Sequence, residues 1–202
     1  MDKVIRLPFR GDAQNSLILL EERDDDALML MARAGVERAF EVLVRRHQRM
    51  ALRTAVKYLG DPSVAEDAAQ NSFLDLLRCV STYRPKGRFR AFFAKIVINN
   101  CRMANRRARS EENKCQGFSS VSTQTVQDTD DYDFNRREQQ RLLDAALCAI
   151  SPKLRETLIL RYAADLSLKE VGETLGIRVG TVKSRLFAGI EKLGKALEAM
   201  ES

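Results

Sequence analysis

Between Arg84 and Arg109 the chain carries nine cations and no carboxylate: Arg84, Lys86, Arg88, Arg90, Lys95, Arg102, Arg106, Arg107 and Arg109. Phe89, Phe92 and Phe93 stand among them. Side chains of these types neutralise charge and stack; they do not break bonds. A phosphate backbone rewards such a cluster through counterion release, and aromatic rings beside it can stack on unpaired bases. The next segment, 110–135, inverts the sign, with Glu111, Glu112, Asp128, Asp130, Asp131 and Asp133 against Lys114 alone. A basic block followed by an acidic tract rich in Ser, Thr and Gln reads as a polyanion-binding domain and then a linker.

A second group lies in GTVKSRLFAGIEKL, residues 180–193. At helical spacing Val182, Leu186, Ile190 and Leu193 share one narrow side, an ordinary core stripe. Thr181, Ser184 and Ala188 point away from it, with Lys183, Arg185 and Phe187 on the flanks. Short polar side chains at the front of a helix allow close approach to phosphates and base edges.

Other chemistries find no support in the sequence. It has no nucleophile motif, glycine-rich phosphate loop or clustered carboxylates, which argues against an enzyme and against a small-molecule substrate or cofactor. Cys79, Cys101, Cys115 and Cys148 form no CxxC pair, and His47 is the single histidine, so no metal site is expected and the thiols are expected reduced and mostly buried. His47 shares a helical face with Leu43, Val44 and Met50, the position of a packed or half-exposed histidine rather than a catalytic one. The aliphatic run Leu17 to Leu20 is far too short for a signal-peptide core or a membrane span. A cytoplasmic protein without membrane insertion is expected.

The elements that must position these groups are all helical. Residues 1–24 lack a sustained period and read as a flexible extension ending in the helix cap Asp24-Asp25-Asp26. A helical period runs from Val36 to Tyr58, Gly60 stops it, and Pro62 starts a helix to Val80. That helix turns Ala65, Ala69, Ser72, Phe73, Leu76 and Val80 inward and Asp67, Gln70, Asn71, Leu74 and Arg78 outward. A single exposed leucine is unremarkable by itself, and one rimmed by polar residues is also how a protein contact begins; both readings stand for Leu74. After the turn 83–87 a long helix resumes near Arg88. Beyond the linker come a helix from Arg136 to Ile150, one started by Ser151-Pro152, and one opened by the capping box Ser167 to Glu170 and closed by Gly176. With the helix of residues 180–193 it forms a helix-turn-helix.

At this point a family resemblance is plain. SPKLRETLILRY (151–162), LSLKEVGETLGI (166–177) and VGTVKSRL (179–186) resemble region 4 of the extracytoplasmic-function sigma factors of the sigma-70 family. EDAAQNSF (66–73) resembles their region 2.2, and FRAFFAKI (89–96) with Asn99, Arg106 and Arg107 resembles regions 2.3 to 2.4. The chain departs from the family pattern at Asn71, Phe92, Met103 and Ala188, where an acidic residue, a tryptophan, an aspartate and an arginine are usual.

The resemblance implies an all-α protein of two helical domains: a region 2 bundle over 25–109 and a region 4 helix-turn-helix bundle over 136–202, joined by a flexible acidic linker at 110–135. It further implies a promoter-specificity subunit whose partners are core RNA polymerase, promoter DNA and an anti-sigma factor. Asp67, Gln70, Asn71, Leu74 and Arg78 would bind polymerase. Arg84, Lys86, Arg88, Phe92, Lys95, Asn99, Arg102, Arg106 and Arg107 would hold the minus-ten element. Arg178, Thr181, Lys183, Ser184, Arg185 and Phe187 would meet the minus-thirty-five element. The alternatives are a stand-alone helix-turn-helix regulator, which needs no region 2, and a resolvase or nuclease, which needs a catalytic serine or carboxylate set.

Overall fold

The computed structural model describes residues 20–114 and 131–201. Residues 1–19 of the expected extension and 115–130 of the expected linker lie outside the described residues. The elements are α1 (Asp25–Arg33), α2 (Glu37–Leu59), α3 (Pro62–Cys79), α4 (Phe89–Lys114), α5 (Asp131–Ala149), α6 (Pro152–Leu158), a π turn (Ile159–Ala163), α7 (Leu168–Leu175) and α8 (Val179–Glu201). Thus α4 continues past Arg109 to Lys114 and α5 begins at Asp131, so helix enters the 110–135 segment from both ends.

Local chemistry sets most boundaries. The Asp24 carboxylate accepts from the Ala27 amide at 2.7 Å and caps α1. Gly60, at φ +78°, ends α2 in the left-handed conformation that lets its amide close back on the Val56 carbonyl. Asp61 then accepts from the Ser63 and Val64 amides, with Pro62 in the first turn where no amide partner is needed.

In the first half α2 packs on α1, α3 and α4, and α3 on α4. Leu28, Met29, Val42, Leu43, Leu76, Phe93 and Val97 are fully buried between them. His47 is buried as expected: its Nε2 lies 2.8 Å from the Asp25 carboxylate, and its ring lies 5.0 Å from Phe89 and 5.9 Å from Phe93.

In the second half α5, α6 and α7 pack on α8. Val182 and Leu186 face inward, but Ile190 is 51% exposed, contrary to the stripe expected of it. The cause is close approach: a Cβ at Gly189 would stand 3.1 Å from Leu158. The buried line therefore runs Val182, Leu186, Gly189, Leu193, and Ile190 falls at its edge. The thiols also depart from expectation. Cys101 is buried, and burial pushes it up to about 12, but Cys79 is half-buried and Cys148 exposed.

The two halves pack against each other: α7 lies on α4 and the π turn on α2. Their buried side chains form one continuous apolar cluster. No helix among the described residues is long and apolar enough to cross a membrane.

Candidate nucleic-acid and polymerase interface

α3 presents Asp67, Gln70, Asn71, Leu74 and Arg78 outward, and all five are exposed. Leu74 is 50% exposed and Leu77, which the sequence reading passed over, 52%. The two leucines stand one turn apart, so the face has a larger apolar centre than a single residue would give. Beside it, a groove between α3 and α4 is lined by Asp67, Asn71, Asp75, Arg78, Asn100 and Met103 among others. Asp75 ties its walls together, accepting from Arg78 at 2.8 Å and from the Asn100 amide nitrogen at 2.9 Å. Gln70 and Leu74 lie outside this groove, on the adjoining surface.

Phe92, Lys95, Asn99, Arg102 and Arg106 recur every three or four residues and so form one face of α4, with Arg88 just before its first turn. Its N-terminal part makes a cleft with the loop before it, lined by Tyr83, Arg84, Lys86, Arg88, Phe92 and Lys95. A second cleft follows along the helix at Asn99, Arg102 and Arg106. Phe92 is half-buried, with its ring 5.2 Å from Tyr83, so one edge packs and the other faces the cleft. Arg107 falls on the neighbouring side of α4, in the groove with Asp67 and Asn71.

The loop 80–88 keeps short backbone bonds at its ends, from the Val80 amide to the Leu77 carbonyl and from the Phe92 amide to the Arg88 carbonyl, and Asp26 of α1 organises the stretch between. Its carboxylate accepts from the Tyr83 hydroxyl and from the Gly87 amide. Arg33 donates to the Tyr83 carbonyl at 3.3 Å. Burial, then the hydrogen bond to Asp26, pushes the Tyr83 phenol well above its ordinary range, so it stays a donor. Gly87, at φ +65°, supplies the bend that a side chain would disfavour. Nothing local in the sequence marks Asp26, because its partners lie 57 and 61 residues away.

In the second half, the capping box forms as expected: the Glu170 amide donates to Ser167 Oγ at 3.3 Å, and the Ser167 amide to Glu170 Oε2 at 2.8 Å. Gly176, at φ +68°, ends α7. Gly172 is needed for close approach, since a Cβ there would lie 2.8 Å from the Ile177 carbonyl oxygen. These constraints set the turn into α8, whose front carries Arg178, Thr181, Lys183 and Ser184 exposed and Arg185 half-buried. Phe187 is 76% exposed. Ser184 donates to the Thr181 carbonyl at 3.0 Å, leaving its hydroxyl oxygen free to accept.

Comparison with known proteins matches both halves. Residues 43–111 fit the family model for sigma-70 region 2 and residues 140–193 that for sigma-70 region 4. RNA polymerase sigma factor CarQ of Myxococcus xanthus is 31% identical over 169 residues, covering 84% of this chain and 95% of that one. The chain belongs to the extracytoplasmic-function group of the sigma-70 family. An ECF sigma factor, SigE of Mycolicibacterium smegmatis, is 31% identical over 157 residues, 77% of this chain and 60% of that longer protein. The fold is that of a solved complex of CnrH with the cytosolic domain of CnrY, at TM-score 0.66, 24% identity and coverage of 87% and 97%.

The sigma factor thus carries a region 2 unit with an outward leucine pair and a cationic face, and a region 4 unit with a free helix front. In the docked arrangement, however, part of the cationic face is in use. Arg102 donates from Nε to Glu156 Oε1 at 2.8 Å and from a terminal nitrogen to Oε2 at 2.6 Å. Arg88 Nε lies 3.4 Å from Glu173.

Proposed function

We propose that this sigma factor directs core RNA polymerase to specific promoters and promotes strand opening there. The α3 face of Asp67, Gln70, Asn71, Leu74 and Arg78 docks on polymerase. The face of α4 and the loop before it hold the non-template strand of the minus-ten element, and the front of α8 enters the major groove of the minus-thirty-five element. The supporting observation is that the loop before α4, with Arg84, Lys86 and Arg88, and one face of α4, with Phe92, Lys95, Asn99, Arg102 and Arg106, line two successive clefts. Cations for phosphates thus stand beside an aromatic edge that an unstacked base can meet.

Opening is driven by capture: each stacked base contributes about 1–3 kcal/mol. The protein performs no bond chemistry itself and works in the cytoplasm, where polymerase is. Residues 25–109 and 136–202 act as the two binding units, and 110–135 joins them, its carboxylates occupying cationic channels of the polymerase before nucleic acid fills them. An anti-sigma factor is a fitting regulatory partner, since a sigma factor of the same fold has been solved with one.

Reconstitution with core polymerase on a promoter library tests this reading. Sequence-specific footprints and transcripts are expected with core present and not without it. A footprint on the minus-thirty-five side by the chain alone, as a dimer, would favour the stand-alone regulator.

A further inference from the structure

Among the described residues Met103 is the one large apolar side chain of α4 that is left exposed, at 44%. It lines both the groove between α3 and α4 and the second cleft, so it stands on the ridge that separates them. At helical spacing Phe92, Ile96, Asn99 and Met103 fall on one line along α4. Lys95, Arg102 and Arg106 flank that line on one side. Arg107 flanks it on the other, in the groove that Met103 also lines.

A helix with cations on both flanks and uncharged side chains along its middle can meet phosphates at its edges and bases at its centre. The polar neighbours of Met103 are already engaged. Asn100 donates to Asp75 at 2.9 Å and to the Ile96 carbonyl at 3.2 Å, which also fixes the roll of α4 against α3. Arg102 donates to Asn99 Oδ1 at 3.3 Å and leaves the Asn99 amide nitrogen to donate outward. The next side chain on the centre line is a thioether, long, flexible and only a weak acceptor. Such a group gains by covering apolar surface. At the base edges of a major groove the apolar group is the thymine methyl.

The direction of α4 places the contact. The loop before α4 and its first turns hold the opened strand, while its far end leads through 110–135 to the unit that reads the minus-thirty-five element. Met103 lies one turn beyond Asn99, about 6 Å along the axis, and therefore faces paired DNA on the upstream side.

We propose that Met103 is a specificity-determining residue, whose side chain covers the methyl group of a thymine in the still-paired upstream edge of the minus-ten element. This rests on the reading of the α4 face as the minus-ten surface. Selectivity follows from the chemistry of the base edge. Cytosine lacks the methyl and presents an amino donor, which a thioether accepts only weakly.

The test uses holoenzyme reconstituted from core polymerase and the full chain, on a duplex promoter selected by the wild type. Thymines are replaced one at a time by uracil, which removes the methyl and leaves the hydrogen-bonding edge unchanged. One upstream thymine should lose about fourfold in affinity with its methyl, the amount expected for one buried methyl group. Met103→Ala should bind the thymine promoter as weakly as the wild type binds the uracil promoter, and should be insensitive to the replacement. Met103→Leu, apolar and of similar volume, should keep the sensitivity. The side chain is exposed, so these variants leave the fold intact. Lys95→Ala with Arg106→Ala, on the flank, should weaken thymine and uracil promoters alike. If no uracil replacement mattered to the wild type, or if Met103→Ala kept the wild-type sensitivity, the assignment of Met103 would be overturned, while a loss in the flank variant would leave the DNA face standing. Unchanged binding by the flank variant would remove the DNA face, and the role of Met103 with it.

Discussion

The Asp26 carboxylate accepts from the Tyr83 hydroxyl while also accepting from the Gly87 amide, so one side chain of α1 holds the loop between α3 and α4 at two points. The loop's cations, Arg84 and Lys86, are thereby carried on a frame anchored outside the loop itself. Removing the anchor should loosen the loop without touching the α3 face. Asp26→Ala should reduce permanganate reactivity of minus-ten thymines on duplex promoters about tenfold and recover on pre-melted templates, with polymerase affinity unchanged. Asp26→Asn, which keeps an acceptor, should fall between. An equal defect on both templates would show that the loop's placement is not what opening requires.

Leu74 and Leu77 form the apolar centre of the outer α3 face. Truncating a central anchor typically costs about 1–3 kcal/mol of binding. Leu74→Ala and Leu77→Ala should each weaken core polymerase binding by that amount, while Gln70→Ala, at the polar rim, should change it little. Calorimetry on the folded variants decides the matter; rim and centre behaving alike would contradict the assignment.

Much of this architecture is legible locally. Gly60 before Pro62, the Ser167 to Glu170 box and Gly176 each satisfy a helix end within a few residues, so the sequence contains the whole interaction. Ile190 shows the limit, because its exposure depends on how closely α6 approaches Gly189, a distance that periodicity does not encode. Asp26 and the Arg102 to Glu156 pair show the same limit at the candidate site. Each joins residues more than fifty positions apart, and a cation reads as a DNA contact until its intramolecular partner is seen.

Gly172 should tolerate no side chain. Its Cβ would meet the Ile177 backbone carbonyl at 2.8 Å, and a carbonyl in a tight turn cannot swing aside as a flexible side chain would. Gly172→Ala should destabilise the second half by about 1–3 kcal/mol in urea and reduce minus-thirty-five protection in footprints. Unchanged stability would mean that the turn relaxes freely.

Tyr58 offers a pH test of the contact between the halves. Burial, then the charge of Glu156 and its hydrogen bond, pushes the phenol up to about 12. The folded value lies above the ordinary 10, so this contribution is complete below pH 10 and is lost as pH rises through about 12. Ultraviolet titration should show phenolate formation by Tyr58 delayed in the wild type, absent in Tyr58→Phe, and moved down toward 10 in Glu156→Gln. A Tyr58 titration near 10 in the wild type would mean that the two halves do not stay docked in alkaline solution.

The front of α8 offers the test of sequence reading. Phe187 is 76% exposed, and it stands beyond Lys183 and Ser184 on the open side of the helix. On the proposed reading, an exposed aromatic there would cover a thymine methyl, while Lys183 would reach guanine acceptors or phosphate and Ser184 would still accept. Arg185 is half-buried, which shortens its reach and suits it to the backbone. Ala188 supplies no cation, which leaves Lys183, Arg185 and Arg178 to carry the charge at this end. A side chain that reads a base should lose about 1–3 kcal/mol on its preferred site and little elsewhere, whereas a phosphate contact weakens all sites alike. Selection from a randomised minus-thirty-five element with holoenzymes of Lys183→Ala, Ser184→Ala, Arg185→Ala and Phe187→Ala should therefore relax the consensus for Phe187 and Lys183 and lower affinity uniformly for Arg185. If all four returned the wild-type consensus, α8 would be reading the element by some route other than these side chains.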